Sequence, residues 1–321
     1  MSDLRIVFMG TPEFAVTSLD ILVKNNFNVV GVVTSPDRPA GRGLEIHQSA
    51  IKKYCIEHKL KVLQPEKLKD EKFVSELKSL NADLQIVVAF RMLPEIVWNM
   101  PKLGTFNLHA SLLPHYRGAA PINWAIINGE KETGVTTFFL QQEIDTGKVI
   151  FQEKVSIAEN ETAGELHDKL MHVGAELVLK TVKAIEKGNY PQTEQSDLAK
   201  GEAIKEAPKI FKEDCKIKWN DSAEKIHNFI RGLSPYPTAY TLFRNKKEEL
   251  IQVKIYRSEK EELPHALPYG KVISDNGKSL KIAVNGGFIR ILELQQAGKK
   301  RMYADEFLRG FSFADTFLIT K

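Results

Sequence analysis

Asn107, His109 and Asp145 are the residues of this chain whose types and spacing could do chemistry together. An amide, an imidazole and a carboxylate are what acyl transfer to an amine needs when no covalent enzyme intermediate forms. They supply a hydrogen-bond donor for a developing oxyanion, a proton acceptor and a group that orients that acceptor. Asn107 and His109 are two residues apart, so on a strand both side chains share one face. A lone histidine at a strand end is more often structural than catalytic, and a turn aspartate such as Asp145, with Gly147 behind it, is commonly just a turn former. Position shifts that balance, because the carboxyl ends of strands are where open α/β sheets place their ligands. Beside His109, Asp145 would favour the imidazolium and fix the ring. Ser111-Leu-Leu-Pro114 adds an apolar loop stiffened by proline.

The elements that must hold these residues can be read from hydrophobic patterning. Residues 4–9, 27–34, 83–90 and 105–109 are near-continuous apolar runs separated by helical stretches at 15–25 and 50–59. That alternation predicts a Rossmann-like, mostly parallel sheet covered on both faces, with Asp145 on a turn between strands at 133–140 and 149–155. Thr162-Ala-Gly-Glu165 reads as a capping box opening a helix of about 25 residues that Gly188 ends. Residues 189–208, polar and carrying Pro191, Gly201 and Pro208, read as a linker. Beyond them a helix at 222–232 precedes short strand-like runs at 238–243, 250–256, 270–273, 279–284 and 288–294. Such spacing predicts a small, OB-like β-barrel. The expected organisation is a catalytic α/β domain at 1–188, a linker at 189–208 and a barrel domain at 209–321.

Composition narrows the function classes. Hydrophobic residues make up 43% and charged residues 27%, as in an ordinary soluble protein. No secretion signal opens the chain, and no apolar run approaches the roughly 20 residues of a membrane span. Cys55 and Cys215, far apart, form neither a disulfide framework nor a zinc motif. A cytoplasmic protein with no metal and no membrane partner is expected. Gly10-Thr-Pro-Glu-Phe14 follows the first strand but departs from the dinucleotide fingerprint, leaving a tight turn before a helix. Residues 189–321 carry 23 Lys and Arg against 18 Asp and Glu, whereas residues 1–188 carry 22 against 23. The excess positive charge therefore lies C-terminally. Two segments are candidate nucleic-acid contacts: the Pro- and Gly-rich loop 35–43 with Arg38 and Arg42, and Lys299-Lys300-Arg301. A solvated loop and a solvated turn are the plainer readings of both.

Taken together these segments resemble the methionyl-tRNA formyltransferase family, from Arg5-Ile-Val-Phe-Met-Gly-Thr-Pro-Glu-Phe14 to Gln296-Ala-Gly-Lys-Lys300. Asn-x-His-x-Ser-Leu-Leu-Pro-x-Tyr-Arg-Gly with a downstream Asp-Thr-Gly is shared by the wider class that uses 10-formyltetrahydrofolate. Pro36-Asp-Arg-Pro-Ala-Gly-Arg-Gly43, Lys218-Trp219 and Pro235-Tyr-Pro237 look like the tRNA enzymes in particular. The resemblance implies formylation of methionine on initiator methionyl-tRNA, with Asn107, His109 and Asp145 as the catalytic trio. It implies that the folate lies against Ser111, Leu112, Leu113, Pro114 and Phe90. It also implies that Arg38, Arg42, Lys209 and Lys300 contact the tRNA, and nothing asks for more than a monomer. One departure stands out: Ala89-Phe-Arg-Met-Leu-Pro94 replaces the family's usual Ala-Tyr-Gly before Leu-Pro and is one residue shorter. Two alternatives remain open: a formyltransferase for a small amine, which has no evident need of a basic barrel, and a non-catalytic RNA-binding protein.

Overall fold

The computed structural model describes residues 3–40, 45–199, 201–245, 247, 249–275, 279–311 and 313. The chain divides into two compact units: Met1–Gly118 with Thr133–Val155 and His167–Glu206, and Ala119–Glu132 with Ser156–Leu166 and Ala207–Lys321.

The first unit is built on β1 (Arg5–Gly10), whose residues Ile6, Val7, Phe8 and Met9 are fully buried. Helix α1 (Glu13–Lys24) follows, then β2 (Asn28–Val33) and a short hairpin of β3 (Arg38–Ala40) and β4 (Glu45–His47). Helix α2 (Ala50–Glu57) is capped by the Ser49 hydroxyl, which accepts the Lys52 amide. The short strand β5 (Val62–Leu63) leads to α3 (Glu71–Ser79), whose first amides are taken by Asp70. Then come β6 (Leu84–Val88), α4 (Glu95–Trp98), β7 (Thr105–His109) and the two-residue β8 (Arg117–Gly118). Helix α5 (Pro121–Ile127) belongs to the second unit. Strands β9 (Glu132–Phe139) and β10 (Val149–Ser156) precede the long α6 (Ala163–Glu186).

The main sheet has the order β10-β9-β7-β6-β1-β2-β5. Strands β7, β6, β1, β2 and β5 run parallel, and β9 is antiparallel to β7. Succession reverses at β1, with β2 on one side and β6 on the other, so the switch point lies at the ends of β1 and β6. Gly10 is needed there: a β-carbon would stand 2.6 Å from that of Ala15 and 3.0 Å from the Val88 carbonyl. The predicted capping box forms, with the Thr162 amide donating to Glu165 and the Glu165 amide to the Thr162 hydroxyl. Gly188, at φ 65°, follows the end of α6 as expected.

Residues 189–208 carry structure of their own. They include α7 (Gln195–Ala199), β11 (Glu206–Ala207) and paired backbone bonds between Thr193 and Val149, at 2.8 and 2.9 Å.

In the second unit a 3₁₀ turn at Lys212–Cys215 leads to α8 (Ala223–Gly232), capped by Ser222. Strands β12 (Ala239–Arg244), β13 (Leu250–Glu261), β14 (Val272–Asp275), β15 (Ser279–Val284) and β16 (Gly287–Gln296) form an antiparallel sheet in the order β12-β13-β16-β15-β14. The short β17 (Met302–Tyr303) adds to β16, and α9 (Ala304–Gly310) follows. This barrel-like sheet is open, a half-barrel. Its alternating inward residues, among them Phe243, Val253, Ile255, Ile282 and Ile289, pack with Ile226 and Ile230 of α8. Trp219, wholly buried, donates its indole N–H to the Thr241 hydroxyl at 2.9 Å, which satisfies the one polar atom it takes inside.

Candidate active site

Strand β7 delivers Asn107 and His109 to one face, at the carboxyl end of the parallel strands. Asn107 is in register with Val87 of β6 and Phe138 of β9, and His109 with Thr136. His109 is 7% exposed. Its Nε2 lies 2.8 Å from the Tyr116 carbonyl oxygen. A carbonyl can only accept, so Nε2 carries a proton and donates it. In the neutral ring Nδ1 is then bare, and it faces Asp145 Oδ2 at 3.9 Å. That distance is beyond a hydrogen bond but close enough for an ion pair once Nδ1 takes a proton. The same carboxylate oxygen accepts the Gly118 backbone N–H at 3.1 Å. The loop after β7 thus grips both groups: Tyr116 holds the histidine and Gly118 the aspartate.

The turn that presents Asp145 is tightly specified. Asp145 sits in the left-handed region at φ 55°, sparsely populated by non-glycine residues. At Gly147 a β-carbon would lie 1.7 Å from the Phe139 carbonyl oxygen, so no other residue lets the turn close onto β9. Gln195 lies against this turn. It is 3% exposed, and its Nε2 donates to the carbonyls of Asp145 and Gly147, both at 2.8 Å. Sequence reading misses Gln195 because it falls in a polar, proline-containing stretch, and only the structure shows that the preceding Thr193 and Glu194 pair with Val149 and Lys148 just beyond the Asp-Thr-Gly turn.

The loop Ser111–Pro114 is largely committed to the protein. The wholly buried Ser111 hydroxyl donates to the His115 carbonyl at 2.7 Å, and its carbonyl accepts the Thr136 hydroxyl at 2.6 Å. Leu113 packs with Phe138 and Val149, and Gln152 donates to its carbonyl at 2.8 Å. Pro114 is buried after a cis peptide bond, and Leu112 is half-buried. The side chains of Ser111, Leu113 and Pro114 therefore shape the loop. Phe90 is half-buried against the cluster around Val7, Met9 and Phe73. The Arg91 guanidinium stands 5.6 Å from its ring centroid and donates to the carbonyls of Pro65 and Glu66. A cleft of 310 Å³ lined by Pro65, Glu66, Lys67, Asp70 and Phe73 includes none of the residues expected at the site.

Of the expected tRNA contacts, Arg38 is exposed on β3. The base of its hairpin is pinned by Asp37, which accepts from Lys52 at 2.5 Å and Gln64 at 2.8 Å; these bonds hold its carboxyl below the usual range. Arg42 lies outside the described residues. In the second unit Lys209 is exposed, 5.2 Å from the Phe211 ring, and Lys300 is exposed beyond β16. Among the described residues no cluster of three or more His, Cys, Asp or Glu could hold a metal ion. No helix among them is long and apolar enough to cross a membrane.

Comparison with known proteins identifies the family. Residues 4–182 match the formyl transferase family, and residues 209–312 match the formyl transferase C-terminal domain. A methionyl-tRNA formyltransferase of Bacteroides fragilis is 56% identical over 315 residues, covering 98% of this chain and 97% of the relative. One from Bacteroides thetaiotaomicron is 58% identical over 313 residues, covering 98% and 97%. Among solved structures, an N-formyltransferase from Helicobacter canadensis in complex with folinic acid and dTDP-3-aminofucose matches with a TM-score of 0.62 at 22% identity, covering 93% of this chain and all of its own. HypX from Aquifex aeolicus with tetrahydrofolic acid gives 0.62 at 18% identity, covering 96% of this chain and 47% of that one. The Helicobacter match extends well into the second unit, so the two-unit fold is common to formyltransferases of different kinds. A C-terminal half-barrel fold is therefore not by itself particular to the methionyl-tRNA enzymes. Near-full-length identity does separate them, and by that measure the chain belongs to the methionyl-tRNA formyltransferase family.

Proposed function

We propose that the chain transfers the formyl group of 10-formyltetrahydrofolate to the α-amino group of methionine on initiator methionyl-tRNA, by direct attack of the amine at the end of β7. The observation that carries this reading is the state of His109: Nε2 is occupied by the Tyr116 carbonyl, and Nδ1 is open toward Asp145. The donor supplies the formyl group as an activated amide. Its flat ring calls for apolar surface and hydrogen-bonding backbone edges. The half-buried Phe90, the exposed Met92 and the main chain that turns at Ala89, φ 47°, are of that kind.

The chain's residues then have distinct tasks. The Asn107 amide donates to the formyl oxygen as it gains negative charge. His109 takes the amine proton at Nδ1 and becomes positive beside that oxygen. Asp145 stabilises the imidazolium and sets the direction of Nδ1. The proton passes from His109 to the folate nitrogen as its bond to the formyl carbon breaks. The nucleophile is the neutral amine, and α-amino groups have pKa values of about 7.7–8.0, so little deprotonation is asked of the site. Arg38, Arg42, Lys209 and Lys300 hold the tRNA through its phosphates, a sequence-independent attraction. The reading is of a monomeric, cytoplasmic enzyme.

The test is formyl transfer to initiator methionyl-tRNA beside elongator methionyl-tRNA and a nucleotide-linked amino sugar. Transfer confined to the initiator is expected. Transfer to the amino sugar with none to tRNA would keep the catalytic trio and overturn the acceptor.

A further inference from the structure

We propose that Gln195 is a positioning residue for formyl transfer, fixing the Asp145 turn through its main chain and itself fixed by Arg117; this rests on the role given to Asp145 above. Gln195 has both ends of its amide used. Nε2 donates to two carbonyls of the turn, Asp145 and Gly147, each at 2.8 Å. Oε1 accepts from Arg117 Nε at 3.0 Å and Nη2 at 2.6 Å. A neutral amide is the one side chain of this length that can accept a guanidinium on one side and donate twice on the other. Glutamate would set a negative oxygen against two carbonyl oxygens, and leucine would leave those carbonyls and the guanidinium unpaired.

The surroundings show what the amide is for. The segment around Gln195 is zipped along the far side of the turn. Thr193 exchanges two backbone bonds with Val149, and Glu194 pairs with Lys148 at 3.1 Å. The turn it grips carries Asp145 at φ 55°, a left-handed conformation that aspartate tolerates but does not by itself enforce. Arg117 stands between Tyr116, whose carbonyl holds His109, and Gly118, whose amide holds Asp145. One hydrogen-bonded path therefore joins the loop that grips the histidine to the turn that presents the aspartate. It keeps the two groups at the separation where a proton on Nδ1 would complete an ion pair. Gln195 touches no reacting atom in this scheme; it acts on Asp145.

The experiment uses the full chain and measures kcat and KM for both substrates in Gln195→Leu and Gln195→Glu, each alone and combined with Asp145→Asn. A misplacement of about 1 Å at a catalytic group costs on the order of 100-fold in rate, so kcat is expected to fall about 10- to 100-fold. Both KM values should stay within about threefold, because ground-state binding is untouched. In the Asp145→Asn background neither substitution should lower kcat further. Equal losses in both backgrounds, or unchanged kcat in the single variants, would overturn the proposal. Should Gln195→Leu fail to fold, Gln195→Glu carries the same comparison, since it retains the acceptor for Arg117. Full activity in Asp145→Asn alone would show the fault to lie in the role of Asp145 itself, and would remove this inference with it.

Discussion

His109 and His227 are both buried histidines with polar partners, one in each unit, yet they are built for opposite ends. His227, 2% exposed, has both ring nitrogens engaged: Nδ1 with the Ser258 hydroxyl and Nε2 with the Asn160 amide oxygen, each at 3.1 Å. Burial, followed by the positive charges of Arg231 and Lys260, pushes its pKa down to about 4. It is kept neutral and serves as a fixed strut between α8, β13 and the Asn160 segment. His109 has one nitrogen engaged and the other turned to a carboxylate across a gap. Burial alone therefore does not separate the two histidines; the nitrogen left open beside an opposite charge does, and it is what supports the role proposed for His109.

That contrast can be broken at several points. Asp145→Asn removes the negative charge that faces His109 Nδ1 while keeping an acceptor for the Gly118 amide. General acid–base catalysis contributes about 100- to 10,000-fold, so kcat should fall within that range, with tRNA affinity unchanged in a filter-binding titration. Asn107→Ala removes the proposed donor to the oxyanion and should cost about 100- to 1,000-fold in kcat. An effect confined to KM would instead make it a binding residue.

On the other side of the comparison, His227 predicts how stability depends on pH. Its folded pKa, about 4, lies below an unfolded value of about 6.5. Above about pH 6.5 the ring is neutral in both states and its contribution is intact. As pH falls from there toward 4 the unfolded chain binds the proton more readily, and stability declines by an amount on the order of 3 kcal/mol. Urea unfolding from pH 7 to pH 4 should show that decline, and His227→Gln should flatten it. The smallest effect concerns the surface. Lys209→Ala and Lys300→Ala should each lower the slope of log affinity against log salt for tRNA by about one, with kcat preserved at saturation. An unchanged slope would remove that lysine from the interface.

Much of the first unit was legible because a buried parallel strand announces itself. Leu4–Met9 and Asp83–Phe90 are largely apolar runs of the kind a sheet covered on both faces absorbs. In the second unit, Thr162 with Glu165 likewise carries its capping chemistry in the sequence. The two-residue spacing of Asn107 and His109 placed them on one face of β7. Less legible was structure held by polar bonds rather than apolar periodicity. Residues 193–199 bury an amide instead of a hydrocarbon face, so their pattern reads as solvent-exposed chain although Gln195 is enclosed. Strands β3 and β4 lie in a stretch rich in proline and glycine, a composition that signals a turn without revealing that the two short segments pair. The role of Tyr116 was hidden for a further reason: its carbonyl, not its side chain, holds His109. A main-chain acceptor leaves no trace in residue type.

The most direct test sets the two histidines side by side, with kcat for formyl transfer and Tm measured on His109→Asn and His227→Asn in the full chain. His109→Asn is expected to lose at least about 100-fold in kcat with Tm nearly unchanged. His227→Asn should lower Tm by several degrees, as loss of about 1–3 kcal/mol of buried hydrogen bonding does, while the folded enzyme keeps its kcat. Full turnover in His109→Asn would contradict the account at its centre, because the nitrogen left open toward Asp145 would then have no part in the reaction.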